Sequence, residues 1–238
     1  ASLVKYPFLK KECSIKLNSF VLAPFNGDWH EAARIYRTWA DSWFRVPDTP
    51  SWIRDFNGWQ RLIMRHQYGQ TFFKYVDLPR MLADGLSSGI DSLFLFGWWE
   101  GGMDAAYPDY VPDDKQGGLA ALKTGIEKVH AMGGKVLLYF NGQLIDHDTE
   151  FYRNTGKRIS VKLERGDEHI EFYRFSGEGT SLQMFGNRAF SVACFSCDEW
   201  REILESFVDR AVELGADCVF FDQFGNTLGP CFDPSHGH

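Results

Sequence analysis

The sequence predicts an α/β fold built on a parallel sheet, and three observations predict it. From residue 58 onward, short apolar runs alternate with amphipathic helical stretches. The runs are apolar throughout, as strands are when both faces of the sheet are covered. Each helical stretch separates two runs by enough chain for a crossover, which parallel pairing requires. A chain of 238 residues with 44% hydrophobic and 16% aromatic content can fill the core of such a fold.

The elements follow in order. Residues 1–50 read as a lead-in segment and 51–238 as the fold proper. Residues 1–25 hold short β-like stretches such as "SIKLNSFVLAPF". In "NGDWHEAARIYRTWADSWF", Asp28 is an N-cap and Glu31 lies three residues on, the capping-box spacing. Trp29, Ala32, Ala33, Tyr36, Trp39, Ala40 and Trp43 recur at helical spacing, and Pro47 and Pro50 end that helix. Strands are expected at 58–66, 90–99, 135–142 and 217–222, and helices at 77–88, 117–133 and 198–215. Gly133 and Gly215 stop the last two helices. The stretch 143–195 is too long for a simple connection. Within it "RISVKLERGDEHIEFYRF" alternates and turns at Gly166-Asp167, which predicts a β-hairpin insertion over 157–176.

Charge and composition exclude several classes. A formal net charge of −7 argues against a nucleic-acid partner, since phosphate binding needs clustered Lys and Arg. No apolar run reaches the roughly 20 residues of a membrane span. "ASLVKYPFLKK" has no apolar signal core, so an extracellular or periplasmic location requires a leader already removed. Cys194 and Cys197 form one isolated C-x-x-C, read as two small apolar residues near a helix start rather than a metal or redox pair. Asp109, Asp113 and Asp114 lack calcium-loop spacing and read as solvated loop acids. No cofactor and no metal is expected.

In parallel α/β folds, chemistry gathers where the strands end. The first strand offers Arg65, His66 and Gln67. The second offers Trp98, Trp99, Glu100 and Asp104. The third offers Asn141, Gln143, Asp146 and His147, and the fourth Asp222, Gln223 and Asn226. Planar amides and carboxylates beside aromatic rings suit a carbohydrate, whose hydroxyls need hydrogen bonds and whose C–H faces pack on rings. Neighbouring strand residues point to opposite faces, so one of Trp98 and Trp99 belongs to the core. Asp222, at the end of "GADCVFFD", is the candidate nucleophile. Arg65, Gln67, Asn141 or a backbone N–H near Gly225 would keep it ionised.

"GADCVFFDQFGN" resembles the fourth-strand motif of endo-α-N-acetylgalactosaminidases, an apolar strand ending in a nucleophilic Asp with Gly-Asn shortly after. "YPDYVPDDKQGGLAALKTGIEKVHAMGGKVLLYFNG" resembles the second-to-third unit of the α-galactosidase (melibiase) clan. "GDWHEAARIYRTWADSW" resembles the lead-in helix of bacterial glycosidase-like proteins of uncharacterised specificity. Together these cover about residues 26–230. The resemblance implies a (β/α)8 TIM-type barrel, of which this chain holds about the first four βα units. It implies a retaining glycoside hydrolase on an α-linked hexose or N-acetylhexosamine, with Asp222 as nucleophile. Trp98, Trp99, Glu100 and Asn141 would occupy the family's sugar subsites. One position departs: melibiases commonly carry Lys two residues before the nucleophile, where this chain has Phe220.

A retaining enzyme needs a second carboxylate about 5–5.5 Å from the first. The resemblance places it on a strand after the fourth, beyond residue 238, with Glu100 or Asp104 as candidates inside the chain. Four units leave two sheet edges open, which the remainder of the barrel or a second chain would cover. The competing expectation is a barrel that binds carbohydrate without catalysis, or an inactive fragment of a longer glycosidase.

Overall fold

The computed structural model describes residues 7, 9–17, 19–174, 187–224 and 229–238. The chain divides into two compact units, 1–56 and 57–238.

In the first unit, helix α1 (Trp29–Ala40) starts at Asp28, whose side chain accepts the His30 backbone N–H at 2.9 Å. Glu31 does not close the expected capping box; it pairs with Arg34 instead. The helix stops well before Pro47. The N–H groups of Trp43 and Phe44 turn back onto the Ala40 carbonyl, which tightens and ends the last turn. A short helix α2 spans Ser51–Arg54. The described residues before 25 form no strand, contrary to their β-like sequence. β-Propensity makes a ladder only where a neighbouring strand offers partners.

The second unit holds the predicted parallel sheet. Strands β1 (Gln60–Ile63), β2 (Ser92–Phe96) and β3 (Lys135–Asn141) pair in sequence order, and β7 (Cys218–Asp222) adds to β3. All three pairings are parallel. Helices α3 (Leu78–Leu86), α4 (Gly118–Ala131) and α6 (Asp198–Leu214) make the crossovers. α4 packs against both α3 and α6, so the three helices form one layer on one face of the sheet. On that face Phe140 stacks on Phe207 of α6 at 5.1 Å, and the Trp200 indole donates to the Gly142 carbonyl at 3.1 Å. The opposite face is aromatic. Phe94 lies 4.7 Å from Phe96 and 4.9 Å from Phe220, and Phe96 lies 4.3 Å from Tyr139. Central β3 is buried almost throughout, whereas β1 and β7 are only partly covered. The sheet does not close into a barrel; β1 and β7 are its two edges.

Two glycines set close approaches. Gly97 turns the chain out of β2 at φ +60°, and a Cβ there would lie 2.2 Å from the Arg65 carbonyl oxygen. Gly125 lets α4 approach the Tyr75 backbone, where a Cβ would meet the carbonyl oxygen at 2.6 Å.

The insertion differs from its expected form. Residues 157–159 are a helical turn, α5 (Lys157–Ile159), not a strand. Gly166 does turn the chain, with a single antiparallel bridge from Lys162 to Glu168. The ladder lies elsewhere: β4 (Leu144–Asp146), β6 (Asn187–Val192) and β5 (Ile170–Arg174) form an antiparallel sheet in that spatial order. A turn as short as 163–167 fixes only its immediate neighbours. The longer pairing of β5 with β6 wins because it buries Phe190 and Val192 in the core. Glu168 locks the turn by accepting hydroxyl hydrogen bonds from Ser160 at 2.7 Å and Tyr152 at 2.9 Å.

Candidate functional site

Two neighbouring strand ends build the site. The β3–β7 register sets Asn141 beside Asp222. Alternation then puts Tyr139 and Asn141 on the same face as Phe220 and Asp222, the face away from the helices. Asp222 is half-buried. Its Oδ2 accepts from the Tyr139 hydroxyl at 2.9 Å, and its Oδ1 from the Gln223 backbone N–H at 2.9 Å. Both carboxylate oxygens are thus held in place by fixed donors.

None of the side chains expected from the sequence, Arg65, Gln67 and Asn141, donates to Asp222; the backbone N–H that does belongs to Gln223, and Gly225 lies outside the described residues. Arg65 is engaged by Asp113 at 2.9 Å, in an ion pair that is 13% and 2% exposed. Asp113 is therefore a buried anchor of the loop after β2 and not a solvated acid. Its other oxygen caps the Lys115 N–H. Asn141 acts one step away from Asp222. Its Nδ2 donates to Gln223 Oε1 at 3.1 Å and to the Tyr139 hydroxyl at 3.4 Å. Its Oδ1 accepts the Gln143 and Leu144 N–H groups. Gln223 Nε2 donates to the Tyr173 hydroxyl, which brings β5 of the insertion to the site.

Asp104 joins from the loop after β2. Its Oδ1 lies 3.3 Å from the Tyr107 hydroxyl, itself 3.4 Å from the Tyr139 hydroxyl. Two tyrosine hydroxyls thus bridge Asp104 to Asp222. Burial pushes the Asp104 carboxyl up to about 6; the Tyr107 hydrogen bond opposes this, the negative charge of Asp222 adds to it, and Arg188 opposes it. Asp104 and Gln223 both hold left-handed backbone, at φ 55° and 57°. Strained conformations on non-glycine residues cluster at functional sites.

The raised Asp104 value has a measurable consequence. The folded state holds a proton that the unfolded chain, titrating near 3.9, releases earlier. Stability should therefore fall as pH rises from about 4 through about 6. Asp104→Asn removes the charge and keeps the shape. It is expected to abolish that fall and to stabilise the protein at pH 8 by roughly 1–3 kcal/mol. Denaturant melts of both proteins at pH 4 and pH 8 check this. A variant less stable than the parent at pH 8 contradicts it.

The remaining candidates are placed as follows. Trp98 and Trp99 are both fully buried, so both are core and neither presents a face to solvent. The Trp98 indole donates to the Tyr139 carbonyl at 3.0 Å, and the Trp99 indole to the Ala105 carbonyl at 2.7 Å. The Trp99 ring stacks on Tyr139, with centroids 5.5 Å apart and planes 12° from parallel. The pair is the wall that fixes Tyr139. Glu100 is exposed on the loop after β2. Gln143 is buried, its carbonyl accepting from the Ala193 N–H at 2.8 Å. His66 follows β1, at the far edge of the sheet from Asp222, with its ring 4.4 Å from Tyr68. Asn226 lies outside the described residues. The site the structure assembles is Asp222, Gln223, Asn141 and Asp104, joined by Tyr139, Tyr107 and Tyr173. Two surface clefts lie elsewhere, one between 108–111 and α6, the other on α4.

The three tyrosines carry little signal in the sequence: Tyr139 sits inside an apolar run, Tyr107 in a loop and Tyr173 in the alternating insertion. Tyr139 carried a usable signal: it is two residues before Asn141, and so on the same face of the strand.

A family model described as a domain of unknown function, DUF6259, matches residues 16–238. The chain belongs to this family. No curated protein matches the sequence significantly. The DUF6259 chain is similar in structure to the α-N-acetylgalactosaminidase NagBb from Bifidobacterium bifidum. Against its GalNAc complex the TM-score is 0.66 at 18% identity, over 88% of this chain and 36% of that one. Against the ligand-free form it is 0.66 at 18% identity, over 88% and 37%. An α-galactosidase from Thermus thermophilus is more distant, with a TM-score of 0.47 at 16% identity over 63% and 28%. The DUF6259 chain thus has a glycosidase-like fold, and it spans about a third of the length of NagBb.

Proposed function

We propose that this chain carries the nucleophile of a retaining glycoside hydrolase acting on an α-linked hexose or N-acetylhexosamine. One observation carries the reading. A strand-end carboxylate, Asp222, is held by the Tyr139 hydroxyl and the Gln223 N–H beside the aromatic sheet face opposite the layer of α3, α4 and α6. The layer of α3, α4 and α6 on one face, with aromatic side chains on the other, suits a segment of barrel wall whose inner face is the aromatic one. The likeness of fold to an α-N-acetylgalactosaminidase supports the substrate class.

In this reading Asp222 attacks the anomeric carbon, the glycosidic C–O bond breaks, and the leaving oxygen takes a proton from an acid. Water then hydrolyses the glycosyl ester and frees Asp222. Gln223 offers its amide to a sugar hydroxyl, buried Asn141 holds Gln223 and Tyr139 in position from behind, and Asp104 accepts a hydrogen bond from another hydroxyl. Phe220, in the position where melibiases carry Lys, packs 4.9 Å from Phe94 and makes that part of the floor apolar. An apolar floor suits a sugar C–H face or an acetamido methyl. The acid/base comes from the rest of the barrel.

The second reading, carbohydrate binding without turnover, is favoured by the polar groups of Gln223 and Asp104 beside Asp222, which can bind hydroxyls whether or not a second carboxylate completes the chemistry. Chromogenic α- and β-glycosides of galactose, N-acetylgalactosamine, glucose and N-acetylglucosamine separate the two in the full-length protein. Hydrolysis of an α-linked substrate is the expected result. Saturable binding with no hydrolysis supports the second reading, and neither binding nor hydrolysis refutes both.

A further inference from the structure

Away from Asp222, a second set of reactive side chains converges. Cys194 follows β6, while Cys231, His236 and His238 lie in the segment after β7. One donor atom from each of these four residues, two Sγ and two ring nitrogens, all lie within 4.8 Å of one another. Three of the residues are buried and His238 is exposed. Both cysteines are free thiols. The C-x-x-C, read from the sequence as two small apolar residues, does not supply the neighbour of Cys194. Cys197 instead occupies the N-cap of α6 and lies outside the cluster, and the true neighbour comes from 37 positions further along the chain.

The surroundings orient these groups as a metal's outer shell would. His236 Nε2 lies 2.7 Å from the Arg158 carbonyl oxygen. A carbonyl only accepts, so Nε2 carries the proton and Nδ1 keeps its lone pair. That Nδ1 faces Cys231 Sγ at 3.4 Å. A backbone carbonyl on the outer nitrogen is how metal-binding imidazoles are held in tautomer and orientation. The Lys162 backbone N–H donates to Cys231 Sγ at 3.4 Å, and the Ser196 backbone hydrogen-bonds the Cys194 sulfur.

We propose that Cys194, Cys231, His236 and His238 form a structural zinc site that fastens the segment after β7 to the junction between the insertion and α6. Two thiolates and two imidazoles are the donor set zinc takes in closed tetrahedral sites. Zn–S near 2.3 Å and Zn–N near 2.0–2.1 Å put ligand atoms about 3.3–3.8 Å apart. The cluster must contract by about 1 Å, and the exposed His238 is the ligand freest to move. On binding, the two thiols release two protons to solvent, so two thiolate charges balance the dication. All four positions are filled by protein, which leaves none for a substrate. The site instead anchors the far end of the chain segment that begins at Asp222.

The test uses reduced full-length protein purified without chelators or immobilised metal. Elemental analysis is expected to find one zinc per chain. Replacement by cobalt is expected to give tetrahedral d–d bands together with a thiolate-to-metal charge-transfer band. Cys231→Ser should lose the metal and the charge-transfer band, while Cys13→Ser and Cys218→Ser keep both. His238→Gln, exposed and so compatible with folding, should weaken zinc binding roughly tenfold or more. It serves as the reading if Cys231→Ser does not fold. Reduced protein that takes up no zinc on dialysis, a cobalt spectrum without the thiolate band, or unchanged affinity in His238→Gln overturns the proposal. A Cys194–Cys231 disulfide with no metal uptake after reduction overturns it equally.

Discussion

Asp222→Asn in the full-length protein is expected to lower turnover roughly 10,000-fold or more while sugar affinity changes little. The substitution keeps the planar shape and the volume. One amide oxygen can still accept from Tyr139 or from the Gln223 N–H, so the strand end and its neighbours stay in place. What is lost is the anionic oxygen that forms the bond to the anomeric carbon. The loss should appear in kcat, with KM or a measured Kd nearly constant, because Gln223 and Asp104 still present their polar groups. A variant that retains a tenth of the parent's kcat removes Asp222 from the reaction. A variant that loses affinity and turnover together assigns Asp222 to binding.

Trp99→Ala is expected to destabilise the fold by about 3–5 kcal/mol, the range for truncating a large buried aromatic. Trp99 has no exposed surface, donates its indole N–H to the Ala105 carbonyl, and stacks on Tyr139. Truncation opens a cavity and leaves the Ala105 carbonyl without that donor. It also loosens the ring whose hydroxyl holds Asp222. Trp99→Phe should recover part of the stability by refilling the cavity, without restoring the N–H. Thermal or denaturant melts of both variants check the order. If Trp99→Ala melts with the parent and only sugar binding falls, the indole is a substrate platform and not a wall.

The parallel sheet was legible because four uninterrupted apolar runs admit few other arrangements. Helix ends were legible where glycine marks them, as at Gly215, which takes the left-handed conformation after α6. Asp222 and Asn141 were legible as a pair because strand-end position and order of strands suffice to bring them together. The insertion was not, because "LERGDEH" contains a real local turn and nothing in it reveals that β5 pairs with β6. Trp98 and Trp99 read as a sugar platform because composition cannot distinguish an aromatic wall from an aromatic floor; burial decides that, and burial is long-range. Asp113 read as solvated for the same reason: its partner, Arg65, lies 48 residues away. The cysteine–histidine cluster was invisible to spacing, since three of its members lie in the segment after β7 and the fourth precedes α6.

The central claim is that Asp222 becomes covalently bonded to the sugar. A fluorinated glycosyl substrate that forms the glycosyl-enzyme quickly and hydrolyses it slowly tests this most directly. After reaction with the full-length protein, peptide mass spectrometry is expected to find one glycosyl group esterified to Asp222, with no label in Asp222→Asn. A label on another carboxylate, or hydrolysis with inversion and no trapped ester, contradicts it.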